Sequence, residues 1–280
     1  MANKKFGLTL GGGGARGAAH IGVLAELERL DLRPDLITGT SMGGMLGALA
    51  AAGLRSDAIA AFFEKLTIAQ MYGLPGSLPA FSSSNKVEKL LEATIGRLSF
   101  SDLKTPLALV ATDLISRKSI VMDEGDLITA VLATSALPLL LPPVERGEFL
   151  LVDGGILNNV PFDIAQARGA TFTLAVDLTN SAPFGTPADP VPSTTGIVGR
   201  VLTATQRRRT WQIVSTVTDI ITAQSLNARL AISPPELLIR PEVGTIGLLD
   251  FHRWQECVEL GKTAVLAHEA ELVANLTSRE

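Results

Sequence analysis

The chain is poor in the residues that anchor several familiar classes of protein. It has one cysteine, Cys257, in 280 residues, so no internal disulfide can form and a reducing compartment such as the cytoplasm is expected. Its three histidines, His20, His252 and His268, are scattered, and with a single cysteine they give no metal-ligand spacing. Charged residues are 19% of the chain, below the usual share of about 25%. The formal balance is −4 with a pI near 5.5, which removes the diffuse basic footprint of a nucleic-acid binder. Long apolar runs are missing too. Phe6 to Leu10 is too short for a secretory core, and Met42 to Leu54 is Gly/Ala-rich and well under the roughly 20 residues a spanning helix needs. Neither a signal peptide nor a membrane span is expected.

What the chain does have is apolar bulk: 46% hydrophobic residues and a mean hydropathy of +0.32. That excludes disorder and suits one large domain over residues 1–280 with a heavily buried sheet. Strand-like and helix-like patterns alternate from the start. Phe6 to Leu10 is a short apolar run, and Ala15 to Leu30 sets Ala19, Val23, Leu27 and Leu30 on one helical face. Leu36-Ile37-Thr38 is a second strand, followed by a Gly/Ala-rich helix ending at Gly53 and by Ser56 as the N-cap of the next. Further strands are expected at Leu107 to Thr112, Ser119 to Met122, Phe149 to Val152, Phe172 to Val176 and Leu237 to Ile239, with helices over Ile197 to Leu230 and from about Arg253 to Val273. Gly73 to Asn85 and Asn180 to Gly196 read as surface loops. The pattern implies an α/β sandwich on a mostly parallel sheet.

Three motifs carry chemistry. Gly11-Gly12-Gly13-Gly14-Ala15-Arg16-Gly17 lies between a strand and a helix, where bare amides and a helix N-terminus can host an anion. Gly12, Gly14 and Gly17 also satisfy the G-x-G-x-x-G dinucleotide fingerprint, so an oxidoreductase stays open at this point. A P-loop does not, because Ala18-Ala19 stands where Lys-Ser/Thr is required. The second motif, Gly39-Thr40-Ser41-Met42-Gly43, is a G-x-S-x-G nucleophile elbow at the end of a strand, where a dinucleotide fold would want a carboxylate. The third, Phe149 to Val152 followed by Asp153-Gly154-Gly155, is an apolar strand that delivers a carboxylate at its end. An aspartate there can serve as a base if burial raises its pKa from about 3.9 toward neutrality. Among the histidines, His20 reads as a structural contact and His268 as part of a solvated face. His252, before the last helix, is the one alternative base.

Taken together and in that order, G-x-G-x-R-G, G-T-S-M-G and D-G-G resemble the patatin-like phospholipase family, in its bacterial single-domain form. Gly17 to Leu24, Ala111 to Leu114, Ala133 to Pro143, Asn158 to Pro161 and Ala175 to Asp177 extend the likeness over roughly residues 6–275. The resemblance implies a three-layer α/β sandwich and a Ser-Asp dyad without histidine. It makes Ser41 the nucleophile, Asp153 the base, and the amides of Gly12, Gly13 and Gly14 the oxyanion hole, with Arg16 supporting that loop. It implies no cofactor and no metal. The substrates would be phospholipids, lysophospholipids or other acyl esters, met with peripheral membrane contact to which Arg207-Arg208-Arg209 could contribute charge. A catalytically silent regulatory protein on the same scaffold is the remaining alternative.

Overall fold

The computed structural model describes residues 4–66, 79–138, 140–179 and 204–277. Its centre is an eight-stranded sheet. Strand β1 (Phe6–Leu10) lies between β2 (Leu36–Thr40) and β7 (Phe172–Val176), and β3 (Leu107–Asp113) and β8 (Leu237–Ile239) extend the row on either side, all in parallel. Two strands run against this direction, β4 (Lys118–Met122) and β6 (Phe149–Asp153), while β5 (Val144–Arg146) pairs antiparallel with β6 and so runs with the main set.

The registers around β3 are what position the site. Leu109 and Val110 pair with β2 on one edge, at Gly39 and Thr40, and with β4 on the other, at Met122 and Val121. Beyond them Ala111, Thr112 and Asp113 keep their β4 partners and take Asp153, Val152 and Leu151 of β6. A strand has two edges only, so β6 occupies the edge that β2 vacates. The two strands meet head to head, with Thr40 opposite Val110 and Asp153 opposite Ala111 on consecutive rungs.

The two faces of β1 and β2 differ in chemistry because side chains alternate along a strand. Phe6, Leu8, Leu10 and Ile37 join the main core with α1 (Ala19–Arg29) and α2 (Ser41–Ala51). On the other face Thr9 and Thr38 share a buried hydrogen bond of 2.8 Å, and Thr38 Oγ1 donates to the Pro161 carbonyl at 3.1 Å. That face is covered by α6 (Gly155–Asn158), α7 (Phe162–Ala167) and α8 (Ala204–Ile232), with a smaller apolar cluster of Val160, Phe162, Ala175 and Leu226. The first face also carries α3 (Ser56–Lys65), α5 (Leu127–Thr134) and α9 (Trp254–Leu266), while α4 (Pro79–Ile95) packs against α5. No helix among the described residues is long and apolar enough to cross a membrane.

Several local expectations change. The first helix is preceded by a 3-10 turn over Gly14–Ala18. Ser56 opens α3 instead of capping it, because its hydroxyl and amide are drawn to Glu28 at 3.0 and 2.7 Å, and Arg55 takes the cap position. Residues 79–85, read as loop, begin α4, with Pro79 in the first turn where its missing N–H costs nothing. The closing helix is two, α9 and α10 (Glu269–Leu276), parted at His268. The expected loop at Asn180 to Gly196 lies outside the described residues.

Helices α1 and α9 cross with their backbones in contact. A Cβ on Gly261 would sit 1.9 Å from the Ala19 carbonyl oxygen, and one on Gly22 2.0 Å from that of Val258. Glycine is therefore required at the crossing, although it is a poor helix former. In an exposed helix interior Gly→Ala stabilises by about 1 kcal/mol. Gly261→Ala should instead destabilise by about 1–3 kcal/mol through overpacking. Urea unfolding would check this, and a variant as stable as the parent would contradict the backbone contact.

Candidate active site

The site forms where β2 and β6 meet. Ser41 is the first residue of α2, and its φ of 54° puts a non-glycine residue in the left-handed region, a strained conformation that persists only when its surroundings hold it. Tight packing permits this turn. A Cβ on Gly43 would lie 2.3 Å from the Leu10 carbonyl oxygen and 2.4 Å from that of Gly11, so the residue two beyond the serine must be glycine. The Ser41 amide donates to Thr134 Oγ1 at 2.9 Å, and the Thr134 hydroxyl donates to the Val110 carbonyl.

Ser41 Oγ donates to Asp153 Oδ2 at 2.6 Å, the short separation of a charge-assisted O–H···O⁻ bond. The other carboxylate oxygen, Oδ1, accepts the Gly155 amide at 2.8 Å. Asp153 is 4% exposed. Burial raises its pKa to about 6, against the opposing pull of the hydrogen bonds from Ser41 and Gly155. A carboxylate held near neutrality and touching a hydroxyl is the pairing a general base requires.

The chain after Asp153 is sewn to β2 and to the glycine loop. The Asp153 amide donates to the Ala136 carbonyl at 3.0 Å, and Thr40 Oγ1 to that of Asn158 at 2.9 Å. The Gly12 amide donates to the Asn159 carbonyl at 3.0 Å, and Asn159 Nδ2 returns a bond to the Gly12 carbonyl at 3.3 Å. Gly12 therefore has no amide to offer a ligand. The amides of Gly13 and Gly14 have no acceptor among the described residues, so the anion-binding set expected from the glycine run narrows to these two. Gly14 has a φ of 55°, which turns the chain out of the loop and into the 3-10 turn.

Arg16 lies in the floor of the cleft, 2% exposed. Its Nε donates to the Ile246 carbonyl at 2.6 Å and its Nη1 faces Asp219 Oδ1 at 3.4 Å. With those donors spent, the side chain braces the glycine loop from beneath instead of joining the loop amides as a donor. Leu248 helps, its carbonyl accepting the Ala15 amide at 2.8 Å. None of the histidines bonds to Ser41. His20 is wholly buried, and its Nε2 donates to the Gly11 carbonyl at 2.7 Å, with burial lowering its pKa to about 4. His252 is exposed and His268 is half-buried.

Around these groups the cleft is lined by Met42, Leu137, Ile156, Leu178 and Leu248 and, on its polar side, by Ser135, Thr179, Thr218, Asp219 and Thr222. The hydroxyls of Ser135 and Thr179 are buried with no hydrogen-bond partner among the described residues, which leaves them for a ligand. Thr134, Asn159 and the α8 residues were not anticipated from the sequence. A threonine near the end of an apolar helix and an asparagine in a turn carry no spacing signal. The Arg207 to Arg209 side chains lie outside the described residues.

A strand-to-helix serine elbow paired with a buried carboxylate on a mostly parallel α/β sheet defines a class of nucleophile-bearing α/β proteins. The chain belongs to the patatin-like phospholipase family: the family model described as patatin-like phospholipase matches residues 8–166. An uncharacterized NTE family protein of Mycobacterium tuberculosis is 32% identical over 276 residues, covering 95% of this chain and 47% of the relative. The neuropathy target esterase of Drosophila melanogaster is 30% identical over 186 residues, 64% of this chain and 13% of that protein. A lysophospholipase of Pyricularia oryzae is 27% identical over 281 residues, 93% and 18% respectively. This chain thus spans about half the length, or less, of these curated relatives. Among solved structures, VipD from Legionella pneumophila shares the fold, with a TM-score of 0.58 at 14% identity over 95% of this chain and 66% of that one.

Burial of Asp153 has a thermodynamic signature. Its folded pKa, about 6, lies above the unfolded value of about 3.9, so the stability it contributes is present below pH ~4 and is lost as pH rises through ~6. Asp153→Asn cannot lose it. The stability of Asp153→Asn relative to the parent should therefore grow by up to about 3 kcal/mol between pH ~4 and pH ~7. Denaturant titrations of both proteins at the two pH values would check this, and a constant difference would refute the raised pKa.

Proposed function

We propose that the protein is a serine acyl-ester hydrolase acting on phospholipids, lysophospholipids or related lipid esters through a Ser41–Asp153 dyad. The observation that carries this reading is the 2.6 Å hydrogen bond from Ser41 Oγ to a buried carboxylate whose pKa is raised to about 6. Asp153 takes the hydroxyl proton as Ser41 Oγ attacks the ester carbonyl carbon. The amides of Gly13 and Gly14 hold the oxyanion, and loss of one such donor costs about 2.7–4 kcal/mol of barrier. Collapse expels the alcohol, which takes the proton from Asp153. Water, deprotonated by the same carboxylate, then releases the fatty acid and regenerates Ser41. The similarity to a neuropathy target esterase and to a lysophospholipase supports the same substrate class.

Peripheral contact with a lipid surface is part of the reading, and α8 supports it. Ser215 and Thr222 are buried, Thr218, Asp219 and Thr222 line the cleft, and the outward positions Ile213, Val217, Ile220 and Ile221 are each about half exposed. Over residues 213–222 the helix is thus polar toward the protein and apolar toward the outside, the reverse of an ordinary surface helix. The stripe amounts to roughly 300–400 Å², the size of a functional patch, but short of the roughly 800 Å² per partner in a stable protein interface.

A fluorophosphonate probe should add one adduct, on Ser41, and Ser41→Ala should lose both labelling and ester hydrolysis. An adduct on another serine would reject the assignment. Asp153→Asn should lose about 10³-fold or more in kcat, while His252→Ala and His268→Ala stay near the parent. For the parent, kcat/KM should rise with pH through a midpoint near 6, where Asp153 loses its proton. Hydrolysis should be unchanged by EDTA, and a strict metal requirement would defeat the dyad.

Val217→Glu with Ile220→Glu should weaken cosedimentation with phosphatidylcholine/phosphatidylglycerol vesicles at least tenfold and leave hydrolysis of a water-soluble p-nitrophenyl ester unchanged. Equal vesicle binding by parent and variant would remove the lipid-facing role of α8.

A further inference from the structure

We infer that Thr134 is a positioning residue for the nucleophile, acting through its hydroxyl on the backbone of Ser41. The inference rests on the assignment of Ser41 as nucleophile.

Where β2 stops and β6 begins, the ladder along that edge of β3 is interrupted. The amide of Ser41 has left β2 for the first turn of α2, where no intrahelical acceptor exists. Thr134, the last residue of α5, is wholly buried and its hydroxyl fills the gap. It donates to the carbonyl of Val110, the residue paired with Thr40, and accepts the Ser41 amide at 2.9 Å. A hydroxyl has one proton, and the carbonyl can only accept, so that proton goes to Val110 and a lone pair is left facing Ser41. The orientation of the bridge is therefore set by chemistry.

The consequence falls on the strained residue. Ser41 holds a left-handed φ of 54°, and the peptide between Thr40 and Ser41 is the lever that sets it. Pinning that amide to β3 keeps Oγ over Asp153, which hangs on the next rung of the same strand. Without the acceptor, a part-buried N–H loses its partner, and rotation of this peptide toward the right-handed region relieves both penalties while moving Oγ off the carboxylate.

The side chain has a second contact that must be separated from the first. Its methyl group faces Gly44 of α2, where a Cβ would lie 3.1 Å from Thr134 Cγ2. Substitutions can remove one group at a time. Thr134→Val keeps the shape and removes the hydroxyl, and Thr134→Ser keeps the hydroxyl and removes the methyl.

The experiment measures kcat and KM on a soluble p-nitrophenyl ester, the rate of fluorophosphonate labelling and the thermal midpoint for the parent, Thr134→Val and Thr134→Ser. The inference expects kcat and labelling rate to fall about 10- to 100-fold in Thr134→Val with KM within threefold, and Thr134→Ser to stay within threefold of the parent in all three. If Thr134→Val does not fold, Thr134→Ala against Thr134→Ser gives the same contrast, since that pair differs only in the hydroxyl. Parent-like kcat in folded Thr134→Val, or equal losses in Thr134→Val and Thr134→Ser, would overturn the inference and leave Ser41 as nucleophile. Absence of labelling at Ser41 in the parent would overturn both.

Discussion

Two strands running in opposite directions share one edge of β3, and the contact between Ser41 and Asp153 exists because they do. A side chain at the end of β2 and one at the end of β6 are 112 residues apart in sequence, yet consecutive rungs of a common partner bring them together with no long side chain needed to span the gap. Strand registers are stiff, since a slip by one residue would turn every side chain to the opposite face. The Ser41–Asp153 separation is thus held by backbone pairing and not by rotamer choice. Burial follows from the same arrangement, because a carboxylate at a strand end inside a sheet is shielded by the neighbours that position it. The raised pKa of Asp153 is an outcome of topology.

The threonine-rich second face of β1 and β2 belongs to this economy. An aliphatic face would pack helices equally well but could not sew loop carbonyls to the sheet. Thr38 and Thr40 bind the Pro161 and Asn158 carbonyls, so the segment that follows the acid is fixed to the strand that precedes the serine. Asn159 does the same for the glycine loop through its two bonds with Gly12. Three segments distant in sequence become one rigid wall.

Much of this is legible in the amino-acid sequence, and the remainder is hidden for identifiable reasons. Ser41 stands out because a strand-to-helix serine turn demands small residues on both sides, and Asp153 because a carboxylate at the end of an apolar run is costly to bury without purpose. The parallel core from Phe6 to Val176 follows from apolar runs that alternate with helical periods. The direction of β6 is invisible, since Phe149 to Val152 reads the same either way up. Which amides of the glycine run are occupied is equally hidden, as Gly12, Gly13 and Gly14 are identical in sequence and only the partner Asn159 separates them. Thr134 and Ser56 show the same difficulty: a hydroxyl's role depends on which distant group folding carries to it, Val110 and Ser41 for one, Glu28 for the other.

The part of the chain that bears both Ser41 and Asp153, residues 8–166 by the family match, is not a detachable module. Ile246 and Leu248 lend the carbonyls that anchor Arg16 and Ala15, β8 closes one flank of the sheet, and α9 rests its backbone on α1 at Gly22 and Gly261. Cutting the chain after the family segment would strip the glycine loop of its foundation while leaving every motif residue in place. Recombination that swaps the portion after β7 between relatives would therefore preserve the motifs and lose the geometry, unless the carbonyls at 246 and 248 and the paired helix glycines travelled together.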